Sequence, residues 1–249
     1  MIALERARHQ LVTLGLKDAA EVLDGRLEQA AKREPPYVDF LTDLLEVELG
    51  CRRRRYLETR TRLARLPFRK TLEDFDFTAQ PSIEPRQVRD LATLSLIAHA
   101  ENLILLGPTG VGKTYLCCAL AQQVCRQGFT ARYYRVPRLL TELAIAKGDG
   151  SYPQLVRQLA KLDVLVLDDW APAPLTATEA RELLEVVEER CINRSTVVAS
   201  QLPIENWHAA LGDPTAADAI LDRLVHTTHR LRLSGESMHR QSEPAPGNE

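Results

Sequence analysis

The sequence lacks any long apolar run. No stretch of its 249 residues approaches the roughly 20 consecutive apolar residues that a membrane-spanning helix requires. The first residues are charged and helical in pattern, without the apolar core of a signal peptide. We therefore expect a cytoplasmic protein without membrane contacts, and its hydrophobic content of 45% is enough to build a core.

Cysteine is scarce, and its spacing excludes two classes of small stabilised fold. None of the five cysteines lies in a C-x-x-C pair or at a spacing typical of metal ligands. We therefore expect neither a disulfide framework nor a zinc site. Free cysteines are commonly buried, and we interpret all five as packing residues: Cys51, Cys117, Cys118, Cys125 and Cys191.

Net charge is small as well, at −2, but this value conceals an asymmetry. Residues 1–70 hold 15 Lys and Arg against 11 Asp and Glu, whereas residues 71–249 hold 17 against 23. A basic first part followed by an acidic remainder favours an anionic partner for the first part.

One glycine-rich stretch carries most of the chemical information. Residues 107–114 read Gly-Pro-Thr-Gly-Val-Gly-Lys-Thr and fit the phosphate-binding P-loop pattern G-x-x-x-x-G-K-[ST]. The apolar run 102–106 before it predicts a buried parallel strand, and the spacing of Leu116, Leu120 and Val124 after it predicts a helix. Strand, glycine loop and helix in this order are the context that a P-loop requires.

The residue types of this loop suit a nucleotide with Mg²⁺ beside it. Glycines allow left-handed turns, so that backbone N–H groups and the positive end of the helix face the phosphates. Lys113 is placed to reach the β- and γ-phosphates, and the Thr114 hydroxyl to ligate Mg²⁺. The expected nucleotide-binding residues are Gly107, Pro108, Thr109, Gly110, Val111, Gly112, Lys113, Thr114 and Tyr115.

Two consecutive acids follow a second apolar run. Residues 162–169 read Leu-Asp-Val-Leu-Val-Leu-Asp-Asp, the Walker B pattern of a strand that ends beside a P-loop. Asp168 would hold Mg²⁺ together with Thr114, directly or through water, and Asp169 would polarise the attacking water. A helix cap at the strand end would explain one of the two acids. The P-loop and the two acids together predict a hydrolytic nucleotide site.

A basic run lies between residues 52 and 70, where nine Lys and Arg accompany a single acid, Glu58. On a helix, these side chains would form a contact surface for phosphate backbones, with salt-dependent and sequence-independent affinity. The alternatives are a solvated helix face and a contact with an acidic patch. The expected DNA-binding residues are Arg52, Arg53, Arg54, Arg55, Arg60 and Arg62.

The rest of the chain reads as helices followed by alternating strands and helices. Two amphipathic helices are predicted within 2–33, and then one long helix or two within 37–66, with a kink at Gly50. One further helix is predicted over 84–98. From residue 102 onward the alternation predicts a parallel α/β sheet covered on both faces, with the nucleotide at the carboxyl ends of the strands.

This pattern also predicts how the chain divides into domains. Residues 67–81 read as a linker, in which Phe75 and Phe77 either flank a bound base or pack the linker onto the next domain. About 16 residues follow the last predicted strand, and so we expect no C-terminal lid domain. The expected division is a small all-α N-terminal domain for partner or DNA contact at 1–66, a linker at 67–81, a nucleotide-hydrolysing domain at 82–235 and a flexible tail at 236–249.

These motifs together resemble a known family. The likeness rests on Gly107–Thr114, Leu167–Asp169, the strand end Ser200-Gln201-Leu202-Pro203 and the segment Ile220–Val225. The chain resembles the IstB-like transposition helper ATPases, which are AAA+ proteins related to the DnaC and DnaI helicase loaders. The resemblance implies an AAA+ fold, ATP and Mg²⁺ as cofactors, and a homo-oligomeric ring or spiral with ATP at the subunit interfaces.

The resemblance also implies partners. It implies binding to double-stranded DNA with little sequence preference, deformation of that DNA, and recruitment or stimulation of a cognate transposase. A DnaC-like replicative helicase loader is the nearest alternative, because it would share every ATPase residue. A DNA-architectural module with a structural nucleotide and a small-molecule P-loop kinase are the more distant alternatives.

Two more residues acquire roles only through the resemblance. Gln201 matches the sensor 1 position, where a polar side chain contacts the γ-phosphate and orients water, with Ser200 as the alternative. Arg223 matches the arginine finger, which acts on the nucleotide of the neighbouring subunit, and an ion pair with Asp222 is the alternative. The expected catalytic residues are Lys113, Asp168, Asp169, Gln201 and Arg223.

Overall fold

The computed structural model describes residues 3–226 and 228–236. The chain separates into two compact units, Met1–Thr59 and Arg60–Glu249. Apart from Glu236, the predicted flexible tail lies outside the described residues. Within the part that is described, no helix is both long and apolar enough to cross a membrane.

The first unit is helical. It contains α1 (Ala3–Thr13), α2 (Lys17–Arg33) and most of α3 (Tyr37–Leu63), whose last residues belong to the second unit. Its core joins Ala19 and Leu23 of α2 to Leu44 of α3, with Leu4, Leu11 and Phe40 packed around them. The stretch after Pro36 is one continuous helix through Gly50, and Glu48 and Arg52 form an ion pair across that glycine at 2.7 Å.

One face of α3 stays exposed although it is apolar. Val38, Leu41, Leu45 and Leu49 recur at helical spacing and keep between 37% and 73% of their surface accessible. A row of exposed aliphatic side chains on one helix is typical of a surface that meets another protein.

The second unit alternates strands and helices after two short helices. The break between those two helices corrects the predicted helix over 84–98: Leu94 adopts a left-handed conformation (φ 58°), which allows both Leu94 and Leu96 to be buried. The elements are α4 (Pro85–Ala92), α5 (Ser95–Ala98), β1 (Asn102–Leu106), α6 (Lys113–Arg126), β2 (Ala131–Arg135), α7 (Val136–Asp149), α8 (Tyr152–Ala160), β3 (Val164–Asp168), α9 (Ala177–Glu188), β4 (Ser195–Ser200), a 3₁₀ turn (Ile204–Asn206), α10 (Trp207–Ala210), α11 (Pro214–Val225) and β5 (Thr228–Arg232).

The five strands form one parallel sheet in the order β2-β3-β4-β1-β5. Every residue of β1, β3 and β4 is buried, as expected for central strands covered by helices on both faces. The predicted parallel α/β sheet is confirmed. Because all strands run in the same direction, the loops after β1, β3 and β4 meet at one edge, and this is where the predicted motifs lie.

Candidate functional site

A cavity of 580 Å³ lies at the carboxyl edge of the sheet. Its volume is within the range of small-molecule sites. The sheet brings together segments that are far apart in sequence. The eleven lining residues come from the stretch before α4, from the P-loop and the start of α6, from the end of β3 and from the residue after β4: Phe68, Lys70, Thr109, Gly110, Gly112, Lys113, Thr114, Tyr115, Asp168, Asp169 and Gln201.

The glycine loop takes the left-handed turns that its sequence predicts. Gly107, Gly110 and Gly112 have φ values of 153°, 85° and 96°. At Gly107 a side chain has no room, because an added Cβ would lie 2.3 Å from the Leu233 carbonyl oxygen. The loop therefore owes its course between β1 and α6 to glycine, and α6 begins at Lys113, directly after the last of the three.

The side chain of Lys113 folds back onto the backbone of the P-loop. Its Nζ donates hydrogen bonds to the carbonyl oxygens of Gly107, at 2.7 Å, and Pro108, at 2.6 Å. Burial lowers the pKa of the Lys113 ammonium group, while the charges of Asp168 and Asp169 act in the opposite direction. A largely buried cation with neutral carbonyl partners is well placed to gain energy from an anionic ligand.

Asp168 is the centre of a polar cluster at the end of β3. Its carboxylate is buried, and Oδ2 accepts hydrogen bonds from the Thr114 hydroxyl and the Tyr133 hydroxyl, both at 2.7 Å. Its Oδ1 accepts one from the backbone N–H of Asp169, at 2.9 Å. Burial and the contact with Asp168 raise the pKa of Tyr133 far above its ordinary value, so this hydroxyl is a donor at neutral pH.

The side-chain oxygens of Thr114 and Asp168 are suitable ligands for Mg²⁺. A carboxylate and a hydroxyl within hydrogen-bonding distance are hard oxygen ligands, and Mg²⁺ at nucleotide sites takes one or two such groups and fills its remaining positions with phosphate oxygens and water. Among the described residues no group of three or more His, Cys, Asp or Glu could hold a metal by itself. Thr114 and Asp168 would therefore hold the ion only together with a nucleotide.

Asp169 differs from Asp168 in both backbone and partner. Its φ of 52° is left-handed, and its carboxylate forms an ion pair with Arg135 at the end of β2. The partnership raises the pKa of Arg135. Sequence reasoning missed Tyr133 and Arg135, because nothing in the strand pattern of β2 distinguishes them; only the pairing of β2 with β3 places them beside the two acids.

At the end of β4, Gln201 reaches the cavity, whereas Ser200 does not line it. Thr109 of the P-loop donates a hydrogen bond to Gln201 Oε1 at 2.9 Å. The buried hydroxyl of Ser200 instead accepts from the Leu202 N–H at 3.1 Å. Of the two predicted sensor positions, the geometry places Gln201 against the loop that would carry the γ-phosphate.

Arg223 lies away from the cavity of its own chain. Its Nη2 pairs with Glu188 at 2.7 Å rather than with Asp222, and Asn102 donates to its carbonyl oxygen at 3.0 Å. Asn102 is the first residue of β1, and the P-loop begins after the last. The backbone of Arg223 therefore lies beside the start of β1, about 16 Å along the strand from the P-loop at 3.3 Å per residue. Within one chain, this arginine does not line the cavity.

The linker packs against the P-loop side of α6. Phe75 is buried against Phe77 and Tyr115, with ring centroids 5.0 Å and 5.5 Å apart, and neither Phe75 nor Phe77 lines the cavity. Ordinary packing is therefore the better description of both side chains. Phe68, which the sequence did not single out, is partly exposed and lines the cavity beside Lys70, whose Nζ lies 5.7 Å from the Tyr115 ring centroid.

The six predicted DNA-binding arginines fall into three sets. Arg52 pairs with Glu48 at 2.7 Å and Arg55 with Asp18, so both contribute to the folding of the first unit. Arg53 and Arg54 are exposed in that unit, and Arg62 is exposed in the second. In the described part of the chain, none of these three forms an ion pair, whereas Arg60 is partly buried.

Comparison with known proteins gives a consistent result. A family model described as "IstB-like ATP binding protein" matches residues 9–245. A protein of Sinorhizobium fredii named for ATP binding in an insertion sequence is 41% identical over 231 residues, covering 93% of this chain and 94% of its own length. One of Pseudomonas aeruginosa, named as an ATP-binding protein of the insertion sequence IS21, is 39% identical, covering 86% and 81%.

Solved structures share the fold at low sequence identity. The structure of DnaI superposes with a TM-score of 0.57 at 21% identity, covering 66% of this chain and 91% of that one. The DnaC helicase loader gives 0.54 at 17% identity, covering 66% and 96%. These likenesses confirm the predicted fold class, an AAA+-like parallel sheet flanked by helices.

Proposed function

Because the chain belongs to the IstB-like ATP-binding proteins, we propose that it is an ATPase that regulates transposition of an insertion sequence. In this role it assembles on double-stranded DNA, deforms it without strong sequence preference, and recruits or stimulates the transposase of the same element. The observation that carries the proposal is the cluster of Lys113, Thr114, Asp168 and Asp169 in one cavity at the carboxyl edge of the sheet.

The roles of these residues follow from their positions. The P-loop N–H groups and Lys113 bind the β- and γ-phosphates, and Thr114 and Asp168 hold Mg²⁺, which neutralises phosphate charge when bound. Asp169 orients and polarises the attacking water once it is free of Arg135. Gln201 reports the presence of the γ-phosphate, since its amide already contacts Thr109.

A second subunit completes the site in this proposal. Arg223 lies away from the cavity of its own chain, and it is partly exposed. An arginine in this position serves catalysis only if a neighbouring chain presents its nucleotide to it. Assembly as a ring or spiral with ATP at the interfaces would therefore couple hydrolysis to oligomerisation.

Contacts with DNA and with the transposase fall to different surfaces. Arg53, Arg54 and Arg62 are exposed cations suited to phosphate backbones. The exposed aliphatic face of α3, formed by Val38, Leu41, Leu45 and Leu49, is suited to a protein partner. A replicative helicase could occupy that face instead, and co-purification with the transposase or with a helicase distinguishes the two functions.

ATP turnover by the purified chain, with and without duplex DNA, tests the enzymatic proposal. We expect DNA-stimulated hydrolysis, and we expect Lys113→Ala to lower nucleotide affinity by about 100-fold, because a largely buried cation on the phosphates is lost. Lys161→Ala, an exposed lysine at the end of α8, is the control and should behave as the unmodified chain does. Tight binding without turnover would instead support an architectural role for the nucleotide.

A further inference from the structure

Tyr133 stands beside the metal-binding acid although no motif includes it. It lies on β2, which pairs in parallel with β3, and its side chain is 8% exposed. Its hydroxyl donates a 2.7 Å hydrogen bond to Oδ2 of Asp168. Core packing alone would not require the hydroxyl of this buried tyrosine to point at the carboxylate.

The hydrogen bonds of Asp168 indicate what Tyr133 does there. A carboxylate oxygen offers about two lone-pair directions. On Oδ2 the Thr114 hydroxyl occupies one direction and the Tyr133 hydroxyl occupies the other. If Thr114 turns its oxygen toward Mg²⁺, one direction on Oδ2 becomes open while Tyr133 still holds the second.

We propose that Tyr133 is a positioning residue that fixes the Asp168 carboxylate so that its open lone pair faces the Mg²⁺ of a bound nucleotide. The inference rests on the proposed ATPase function and adds a residue to it. Groups that hydrogen-bond to a metal ligand orient it, and their loss typically lowers metal affinity about 10- to 100-fold. The backbone N–H of Asp169 holds the other oxygen, so the carboxylate is constrained at both ends.

Tyr133→Phe is the direct variant, because it keeps the ring and removes only the hydroxyl. The adjacent residue supplies a matched control. Tyr134 lies on the same strand and is also buried. Its hydroxyl donates to Glu142 at 2.9 Å and accepts from Arg65 at 3.4 Å, outside the cavity. Tyr134→Phe therefore removes the hydroxyl of a buried tyrosine from β2 without touching the site.

The experiment measures binding of a non-hydrolysable ATP analogue to the full chain at a series of Mg²⁺ concentrations and in EDTA. We expect Tyr133→Phe to raise the half-saturating Mg²⁺ concentration about 10-fold, with unchanged affinity in EDTA, and Tyr134→Phe to match the unmodified chain. In an Asp168→Asn background, the Tyr133→Phe change should have no further effect on Mg²⁺ dependence.

Each contrary outcome has a distinct meaning. If the unmodified chain binds the analogue without regard to Mg²⁺, the proposed metal site fails and the role of Tyr133 fails with it. If the unmodified chain depends on Mg²⁺ and Tyr133→Phe behaves identically, only the role of Tyr133 is overturned. An equal loss of affinity with Mg²⁺ and in EDTA would show that the hydroxyl merely supports the fold, and would also overturn it.

Discussion

Single residues in this protein owe their chemistry to neighbours that are remote in sequence. Asp168 and Asp169 are adjacent, yet one is buried among hydroxyl donors and the other forms an ion pair with Arg135. The left-handed φ of Asp169 turns the two carboxylates toward different partners. Two neighbouring acids thereby become suited to two roles, one to hold a metal ion and one to act on water.

Arg223 allows a prediction at this scale. We expect Arg223→Ala to keep nucleotide binding but to lower ATP hydrolysis by at least about 100-fold, because an arginine finger stabilises charge only in the transition state. ATP-linked assembly, followed by light scattering, should be lost in the same variant. Turnover is measured with saturating ATP and duplex DNA.

Glu188→Gln is the control for this prediction, because it removes the ion-pair partner of Arg223 and leaves the arginine in place. Hydrolysis should persist in that variant. Equal losses in the two variants would mean that the ion pair supports the fold of the chain and that Arg223 has no role in a neighbouring site.

At the scale of elements, helix ends are stabilised by specific side chains. Thr176 and Glu179 form a reciprocal capping box at the start of α9, and Asp213 accepts a hydrogen bond from the Ala216 N–H at the start of α11. The start of α2 is capped from another helix: Glu48 of α3 accepts from the N–H groups of Asp18 and Ala19, at 2.9 Å and 3.2 Å. This contact ties α2 to α3.

Glu48 makes the stability of the first unit depend on pH. Burial by itself would raise the pKa of Glu48, but the hydrogen bonds from Arg52 and from the two N–H groups outweigh burial and lower it. A carboxyl whose pKa is lowered by folding contributes stability above its unfolded pKa of 4.5, and this contribution is lost as the pH falls through the folded value.

We expect Glu48→Ala to destabilise α2 by about 1–3 kcal/mol at neutral pH, because two N–H groups lose their acceptor. Glu46→Ala, which changes an exposed acid two residues earlier on the same helix, should have almost no effect. Urea unfolding followed by circular dichroism at pH values from about 7 to 3 measures both. If the difference between the two variants does not shrink as the pH falls below 4.5, the capping role of the ionised carboxylate is wrong.

At the scale of the whole molecule, positive charge is concentrated in one stretch of the chain and not in one unit. Residues 52–70 hold nine Lys and Arg against one acid and run from the first unit into the second. Such a stretch would attract the phosphate backbone of DNA. In that arrangement ATP hydrolysis would influence DNA affinity through assembly, since many weak phosphate contacts add up only when subunits are held together.

DNA affinity should therefore fall steeply with salt concentration. We expect the double variant Arg53→Ala and Arg54→Ala to reduce the slope of log affinity against log salt by about 2, because each cation releases roughly one counterion. Arg86→Ala, an exposed arginine of α4 outside the basic stretch, should leave the slope unchanged. Fluorescence anisotropy with duplex DNA at several salt concentrations measures it. Identical slopes would exclude these arginines from the DNA contact.

Much of the fold could be predicted because it depends on local patterns. The apolar runs placed β1 and β3 to within a few residues, and the glycine loop with its following helix is a local property of Gly107–Thr114. The break at Leu94 was missed, because it depends on the tertiary burial of Leu94 and Leu96 and not on the periodicity around them.

The sequence by itself determined the class of chemistry: a phosphate loop, two acids after a strand, and a basic run, each recognisable from neighbouring residues. Only the tertiary structure decided which side chains complete the site. Parallel pairing of β2 with β3 brought Tyr133 to Asp168 and Arg135 to Asp169, and packing sent Phe75 into the interior while Phe68 lines the cavity. The physical reason is that a loop motif encodes its own backbone geometry, whereas contacts between strands depend on the sheet order that the whole chain adopts.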